Sequence, residues 1–186
     1  AREVLERRKG AKIAVPVSVS KVVENVAEEF GGTVIRTRIG ARPLLDAVIR
    51  ENASFGGGET GGFVFPEFQV GYDGIVSAVR LIETLSQKRT SLSEIVNRVP
   101  PFYTARISVP CPWERRGRVM RSIVEEFRGR EIDVLDGVKI FYDANWVLLH
   151  PSPEEPALYL YPEATSKETA SNLIDEYSEK VRGLVA

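Results

Sequence analysis

Gly56–Glu67 has the sequence GGGETGGFVFPE, in which five of the first seven residues are glycine. Glycine is unfavourable in the interior of a helix or strand, because it loses more backbone entropy on folding than any other residue. The run therefore predicts a loop that brings its backbone and the carboxylate of Glu59 close to a ligand. A flexible hairpin turn without a ligand is the alternative interpretation.

The same glycines match the pattern GxGxxG at residues 56–61. That pattern indicates dinucleotide binding only where it follows a strand and opens a helix. Here the run precedes a strand predicted at 62–65, and no helix follows directly. We therefore exclude a dinucleotide-binding loop.

The segments on both sides of this loop alternate between strands and helices. Strands are predicted at 12–17, 33–37 and 62–65, and helices at 18–30, 41–52 and 73–87. Ser18 or Ser20 is expected to cap the first of these helices, and Asp73 the last. The last helix carries a set of apolar residues, Ile75, Val76, Val79, Ile82 and Leu85. This alternation predicts an α/β domain, a layered sheet with helices, over residues 1–99.

The order of elements changes after a short helix opened by a capping box at 91–94 and a linker, Val99-Pro100-Pro101. A strand at 102–109 and a helix at 113–128 are predicted next, followed by strands at 131–135, 138–142, 146–150 and 157–161. A final helix is expected to be capped by Thr165. Strands clustered between two helices predict a small α+β domain with an antiparallel sheet over residues 102–186.

Composition excludes several classes of protein. The formal net charge of the 186-residue chain is −1, which gives no reason to expect binding to nucleic acid or to an anionic membrane. Its one cysteine, Cys111, excludes an internal disulfide and a multi-cysteine zinc site and is typical of a reducing cytoplasm. No apolar run approaches the roughly 18 residues of a membrane span. Plentiful charge with few Asn and Gln residues favours a thermophilic source.

Three segments of the chain together resemble the phosphohexomutases, the phosphoglucomutase/phosphomannomutase family. They are the glycine run, Tyr72-Asp73-Gly74, and the segment HPSPEEP at 150–156. In that family a GGExSGG or GExSGH loop binds sugar hydroxyls, and an RxSGTEP loop binds the phosphate that is not transferred. The resemblance implies that the chain is the C-terminal part of such a protein, with residues 1–99 as the third of its four domains and residues 102–186 as the fourth.

The resemblance assigns the glycine run to sugar binding, although the run is one residue shorter than the family's loop. In one alignment Glu59 is the sugar-binding acid and the serine of the motif is deleted. In the other, Thr60 takes the place of the serine and Gly58 that of the acid. We prefer the first, because a carboxylate that accepts two sugar hydroxyls is the harder group to replace. With the turn at 36–40, which resembles the family's basic-x-Gly sugar contact, the implied substrate-binding residues are Arg38, Gly40, Glu59, Thr60 and Gly61.

The HPSPEEP segment departs further from its family counterpart. The implied phosphate-binding residues are His150, Ser152 and Glu155, but His150 stands where the family has a permanently charged arginine. Pro153 replaces a glycine whose N–H would contact phosphate, and proline has no N–H. Glu154 replaces a neutral hydroxyl with a negative charge, which repels phosphate. We therefore expect this loop to bind phosphate weakly or not at all.

The groups that carry the family's chemistry do not occur in this sequence. The resemblance places the phosphorylated serine and the DGDxDR magnesium loop in earlier domains, and neither motif is present. We therefore assign no catalytic residue and no metal ligand, and expect magnesium only in an intact family member. Without a nucleophile and a metal, the chain is not expected to transfer a phosphoryl group alone. A helix predicted at 2–9, with no N-cap and with Gly10 as its stop, also indicates a fragment.

Three hypotheses about function remain open. In the first, the chain is the C-terminal portion of an isomerase of carbohydrate metabolism, which moves a phosphoryl group between C1 and C6 of a hexose phosphate. In the second, it is a non-catalytic relative that binds a sugar or a protein. In the third, it is one half of a split enzyme that pairs with a separate N-terminal half, or with itself, through an exposed sheet edge.

Overall fold

The computed structural model of the chain describes residues 1–186. Contacts divide the chain into two compact units, Ala1–Pro100 and Pro101–Ala186, and each unit has its own sheet and hydrophobic core. This arrangement confirms the predicted fold class, an α/β domain followed by an α+β domain. None of the helices combines the length and the apolar character that crossing a bilayer requires.

The first unit alternates helices with the strands of a four-stranded sheet. In chain order its elements are α1 (Arg2–Arg7), β1 (Lys12–Pro16), α2 (Val22–Glu29), β2 (Thr33–Thr37), α3 (Ala41–Arg50), β3 (Phe55–Gly57), β4 (Phe63–Val64), α4 (Gly74–Lys88) and α5 (Leu92–Val96). The strand order is β2-β1-β3-β4, with β1 parallel to both β2 and β3 and β4 antiparallel to β3. Because the first three strands are parallel, the loops after their carboxyl ends lie along the same edge of the sheet.

Strand β3 corrects the prediction that the whole glycine run is a loop. Gly56 and Gly57 are buried in this strand, where Gly56 is paired with Ala14 of β1 and Val64 of β4. A Cβ on Gly56 would lie 2.7 Å from Cγ2 of Val48 in α3, so only glycine lets this helix pack so closely on the strand. Close packing therefore outweighs the entropic cost of glycine in a strand. The loop itself is limited to residues 58–62.

The side of helix α4 that packs on the core is not the side that carries most of its apolar residues. Three of those five residues are mostly exposed, Ile75 by 80%, Val79 by 59% and Ile82 by 65%. The side that packs on the core carries Val76, Arg80 and Thr84, and the Arg80 guanidinium lies 6.0 Å from the ring centroid of Phe65. The aliphatic stem of an arginine covers apolar surface well, which is why a charged residue can occupy this side.

The second unit is built on an antiparallel sheet. Its elements are β5 (Tyr103–Thr104), β6 (Ile107–Pro110), α6 (Trp113–Glu126), β7 (Ile132–Asp133), β8 (Val138–Tyr142), β9 (Asn145–Pro151), β10 (Ala157–Ala164) and α7 (Lys167–Val185). The strand order is β5-β10-β9-β8-β7, and β6 also pairs with β10. Both helices contribute to the core over this sheet, for example through Ile123 of α6 and Tyr177 of α7.

The strand predicted at 102–109 is two short strands in the structure. Both pair with β10, but residues 105 and 106 between them lie outside the ladder. The Arg106 guanidinium lies 4.0 Å from the ring centroid of Tyr159 in β10. A cation–aromatic contact therefore accompanies the interruption.

The final helix begins one residue later than predicted. Ser166, not Thr165, caps α7, and its hydroxyl accepts a hydrogen bond from the N–H of Thr169 at 3.0 Å. Thr165 instead donates its N–H to Oδ1 of Asn145 at 2.9 Å. Thr165 and Ser166 are both good N-cap residues, and the contact of Thr165 with Asn145, twenty residues earlier, leaves Ser166 as the cap.

Gly56→Ala is expected to destabilise the first unit by about 1–3 kcal/mol, because the added methyl group would overpack the interface of α3 with β3. Gly58→Ala is the matched control, since a Cβ there would lie 3.7 Å from Pro16, an ordinary contact. Urea unfolding gives the stability of the two variants, and amide hydrogen exchange assigns the change to the first unit. Equal stability would contradict close packing as the reason for glycine at this position.

Candidate functional site

The carboxyl edge of the first sheet collects three loops. Residues 17–21 follow β1, residues 38–40 follow β2, and residues 58–62 follow β3. In α/β sheets with parallel strands, ligands bind in the crevice outside the carboxyl ends of the strands. All five residues of the predicted sugar-binding set lie in the second and third of these loops.

Glu59 is held at this edge by Ser18, which the sequence indicated only as a possible helix cap. The hydroxyl of Ser18 donates a hydrogen bond to Oε1 of Glu59 at 2.7 Å. Ser18 is buried whereas Glu59 is exposed, so the carboxylate is anchored on one side and faces solvent on the other. Its second oxygen, Oε2, has no partner within the protein and remains available as an acceptor.

Ser18 or Ser20 was expected to cap the helix that follows β1, and it is Ser20, not Ser18, that contacts the start of that helix. Helix α2 begins at Val22, and the N–H of Val22 donates to the hydroxyl of Ser20 at 3.1 Å. The role of Ser18 depends on a contact with a residue 41 positions later in the chain. A serine just before a helix gives no sequence signal that separates the two roles.

The rest of the glycine loop depends on glycine for its backbone conformation. Gly61 and Gly62 have φ values of +87° and +76°, which residues with a side chain rarely adopt. The N–H of Gly61 donates to the carbonyl of Gly58 at 3.4 Å, which closes a tight turn around Glu59 and Thr60. Thr60 is exposed at the tip of this turn. The loop therefore presents one hydroxyl and one carboxylate to solvent.

Arg38 and Gly40 lie in the turn between β2 and α3. Arg38 is exposed, and its carbonyl accepts a hydrogen bond from the buried hydroxyl of Thr37 at 2.9 Å. Gly40 has φ +130° and precedes the first residue of α3, so this turn also requires glycine. The turn provides a cation at the same sheet edge as the Glu59 carboxylate.

The loop of the second unit, residues 152–156, joins β9 to β10 and is closed by its own serine. Ser152 is fully buried, and its hydroxyl accepts hydrogen bonds from the N–H groups of Glu154 at 3.2 Å and Glu155 at 3.1 Å. The N–H of Ser152 donates to the carbonyl of Ala157 at 3.0 Å. The backbone donors that could bind an anion are therefore already used inside the turn.

His150 is also enclosed. Its Nε2 lies 3.2 Å from Oδ2 of Asp136, and its other ring nitrogen, Nδ1, is buried without a hydrogen-bond partner. Gly137, which follows Asp136, has φ +90°, and a Cβ there would lie 2.2 Å from the carbonyl oxygen of Leu149. His150 is therefore only 8% exposed, and a ligand has little access to its ring.

Glu155 contacts its own unit through both its side chain and its backbone. Its Oε2 accepts a hydrogen bond from the hydroxyl of Tyr159 at 3.1 Å. Its carbonyl accepts one from Nη2 of Arg116 at 2.6 Å, and the Arg116 guanidinium lies 4.1 Å from the ring centroid of Trp113. The arginine at this loop therefore comes from α6, and it binds backbone carbonyls that carry partial negative charge.

The side chains of residues 1–186 form no metal-binding cluster. No cluster of three or more His, Cys, Asp or Glu side chains is arranged to hold a metal ion, so these residues do not fit a magnesium site. Cys111 is fully buried, and burial raises the pKa of its thiol, which disfavours the reactive thiolate. Burial and a hydrogen bond with the hydroxyl of Tyr142 likewise raise the pKa of the Tyr177 hydroxyl.

Ser152→Ala is expected to speed the amide exchange of Glu154 and Glu155 by at least roughly tenfold, because both N–H groups lose their acceptor. Hydrogen exchange followed by NMR measures the change residue by residue. Glu154→Gln is the matched control, since it alters the exposed side chain but keeps the Ser152 hydroxyl, and its exchange should match that of the wild type. Unchanged exchange in Ser152→Ala would show that the serine does not hold the turn.

The chain is similar in sequence to known proteins. The profile of the phosphoglucomutase/phosphomannomutase family, alpha/beta/alpha domain III, matches residues 1–103. A Methanopyrus kandleri protein of the phosphoglucosamine mutase type is 36% identical over 186 residues, which are 99% of this chain and 41% of the relative. A phosphoglucomutase/phosphomannomutase of Thermococcus kodakarensis is 29% identical over 94% of this chain and 39% of its own length. These archaeal relatives are consistent with the predicted thermophilic source.

Solved structures share the fold. A phosphoglucomutase/phosphomannomutase family protein from Burkholderia thailandensis superposes with a TM-score of 0.83 at 22% identity, covering 98% of this chain and 40% of that one. The N-acetylphosphoglucosamine mutase of Aspergillus fumigatus, in complex with GlcNAc-6P and magnesium, superposes with a TM-score of 0.68 at 14% identity over 99% of this chain and 41% of that one. The chain thus spans about two fifths of the length of the relatives it matches. The resemblance drawn from its loops is confirmed, and the chain belongs to the phosphoglucomutase/phosphomannomutase family.

Proposed function

We propose that this chain supplies the sugar-binding part of a hexose-phosphate mutase, in which the intact protein moves a phosphoryl group between C1 and C6 of the sugar. The observation that carries the proposal is the hydrogen bond from Ser18 to Glu59 at the carboxyl edge of the first sheet. It fixes the carboxylate while leaving Oε2 free to accept hydrogen bonds from sugar hydroxyls. Bonds of hydroxyls to a carboxylate are stronger than those between neutral groups, so one anchored acid can orient a sugar.

Arg38, Gly40, Thr60 and Gly61 complete the proposed substrate-binding set. Arg38 is an exposed cation, Thr60 has an exposed hydroxyl, and the two glycines allow the backbone to come close to a ligand. We propose a hexose or hexosamine phosphate as the ligand. The names of the relatives, phosphoglucosamine mutase and phosphoglucomutase/phosphomannomutase, support this substrate class.

We further propose that the two compact units correspond to the third and fourth of the family's four domains. The nucleophile and magnesium would then be provided by a polypeptide portion outside these 186 residues, either in a longer parent chain or in a separate N-terminal half. The share of the relatives that the chain covers, 41% of the Methanopyrus kandleri protein, supports this division. A cytoplasmic location fits the single unpaired, buried cysteine.

A non-catalytic sugar-binding relative is the second candidate. The closed turn around Ser152 favours it, because the loop that would hold the second phosphate has its donors engaged internally. Such a protein would retain the acid of the first unit but lack the anchor for a phosphate. Binding of the sugar and binding of phosphate are therefore separable, and each has its own test.

The sugar site is tested by NMR titration of the chain with glucose 1-phosphate, mannose 1-phosphate and glucosamine 1-phosphate. We expect saturable shifts of the amides of residues 38–40 and 58–61. Glu59→Gln should weaken binding about tenfold, because a neutral amide accepts hydroxyl hydrogen bonds less strongly than a carboxylate. The control is Glu28→Gln, which makes the same change on the exposed surface of α2. Absence of shifts, or equal binding by Glu59→Gln, would contradict a sugar site at Glu59.

The phosphate loop is tested by restoring the family's motif with His150→Arg, Pro153→Gly and Glu154→Thr in one chain. The wild type is expected not to bind inorganic phosphate, whereas the triple variant should gain at least roughly tenfold in affinity from the added cation, the new N–H and the removed carboxylate. Isothermal titration measures both. A variant with Glu125→Gln and Glu179→Gln has the same net charge and controls for nonspecific attraction. Tight phosphate binding by the wild type would show that the HPSPEEP loop is functional as it stands.

A further inference from the structure

Arg36, in β2, uses every N–H of its guanidinium within the protein. Nε donates to Oε1 of Glu24 at 2.8 Å, and Nη2 donates to Oε2 of the same carboxylate at 2.7 Å and to the carbonyl of Ser20 at 3.3 Å. Nη1 donates to the carbonyls of Pro16 at 2.9 Å and Val19 at 2.6 Å. With five donors and five acceptors, this arginine has no N–H left for a ligand.

The three carbonyls belong to the segment at 16–20, by which the chain leaves β1. Ser18 lies in the middle of this segment, so the guanidinium holds the backbone on both sides of the serine. The N–H of Val17 donates to the carbonyl of Thr37 at 2.9 Å, which ties the same segment to the end of β2. Two attachments to β2 thus hold the backbone that carries Ser18.

We infer that Arg36 and Glu24 are positioning residues for the carboxylate of Glu59, and that they act through Ser18. The chain of contacts is continuous: the fork between Glu24 and Arg36, the carbonyls around Ser18, and the hydrogen bond from Ser18 to Oε1 of Glu59 at 2.7 Å. The effect of this inference on sugar binding rests on the function proposed above. The effect on the position of Glu59 is independent of that function.

An ordinary surface ion pair does not account for this arrangement. The side chains of Arg36 and Glu24 are 19% and 30% exposed, and the guanidinium binds three backbone carbonyls besides the carboxylate. Arg80 of α4 offers a contrast within the same unit, because it pairs with the carboxylates of Glu67 and Glu83 but with no backbone carbonyl. Lysine cannot fully reproduce the contacts of either Arg36 or Arg80, since its ammonium has three donors and no planar fork.

The first test needs no ligand. In Arg36→Lys, amide exchange at residues 17–20 should rise at least roughly tenfold, because several hydrogen bonds to these carbonyls are lost. The amide signals of Ser18 and Glu59 should shift as well. Arg80→Lys is the control and should leave all of these signals unchanged. If Arg36→Lys does not fold, Glu24→Gln removes the charge of the partner with little change in shape and should act in the same direction. Native exchange and native signals at Ser18 and Glu59 in a folded variant would overturn the inference.

The second test separates positioning from general stability with a double-mutant cycle on the affinity for glucose 1-phosphate. Ser18→Ala and Arg36→Lys are each expected to weaken binding about tenfold. Because they act on the same carboxylate, the double variant should bind no more weakly than the worse single variant. Ser18→Thr keeps the hydroxyl and should restore binding. Losses that multiply in the double variant would overturn a shared path through Ser18. If the wild type does not bind the sugar phosphate, the proposed function fails, and the exchange measurement still decides whether Arg36 positions Glu59.

Discussion

The packing of α3 directly on the backbone of β3 sets the geometry of the first unit. A methyl group on Gly56 would lie 2.7 Å from Val48, so the absence of a side chain allows the helix to approach the sheet. Strand β3 then ends at Gly57, and the next residue lies beside Pro16 at the end of β1. The loop that follows therefore starts next to the segment that contains Ser18. One steric constraint thus fixes both a buried interface and the place where the Glu59 carboxylate emerges.

Local signals in the sequence predicted the local features of the fold. The β-branched segment Thr33–Thr37 is the strand β2, and the Asp73 carboxylate caps α4 by accepting from an N–H at 2.8 Å. The features that failed depend on contacts with distant residues. Strand β3 was missed because glycine carries no strand signal, and its reason for being there lies in α3. The apolar residues of α4 gave the wrong core-facing side of that helix for a similar reason. The aliphatic stem of Arg80 covers the core there, and this depends on its contact with Phe65.

The same distinction explains how much of the candidate site could be predicted. Glycine density marked the loop around Glu59, and family motifs marked the loop around His150. The partners of both residues could not be found in this way: Ser18 lies 41 positions from Glu59, and Asp136 lies 14 positions before His150. Arg116 is one of several arginines on α6, and its hydrogen bond to the carbonyl of Glu155 depends on the fold. Types of residue are visible in a sequence, whereas the pairs that give them a role depend on the fold.

The loop around Glu59 and the loop around Ser152 each contain a serine that hydrogen-bonds within the loop region, but in opposite senses. In the first unit a serine donates to a carboxylate and leaves one of its oxygens exposed, so the acceptor capacity of the loop faces solvent. In the second unit a serine accepts from two N–H groups, so the donor capacity of the loop is turned inward. A phosphate at the second loop would have to replace two hydrogen bonds, each worth about 1 kcal/mol, and approach the Glu154 carboxylate, a repulsion of roughly 1–4 kcal/mol at 4 Å. Since His150 stands where the family has an arginine that would offset these costs, we expect the balance to oppose phosphate. On the proposed function, recognition of the substrate by this chain therefore depends on the sugar hydroxyls at Glu59, and hence on the contacts that hold its carboxylate in place.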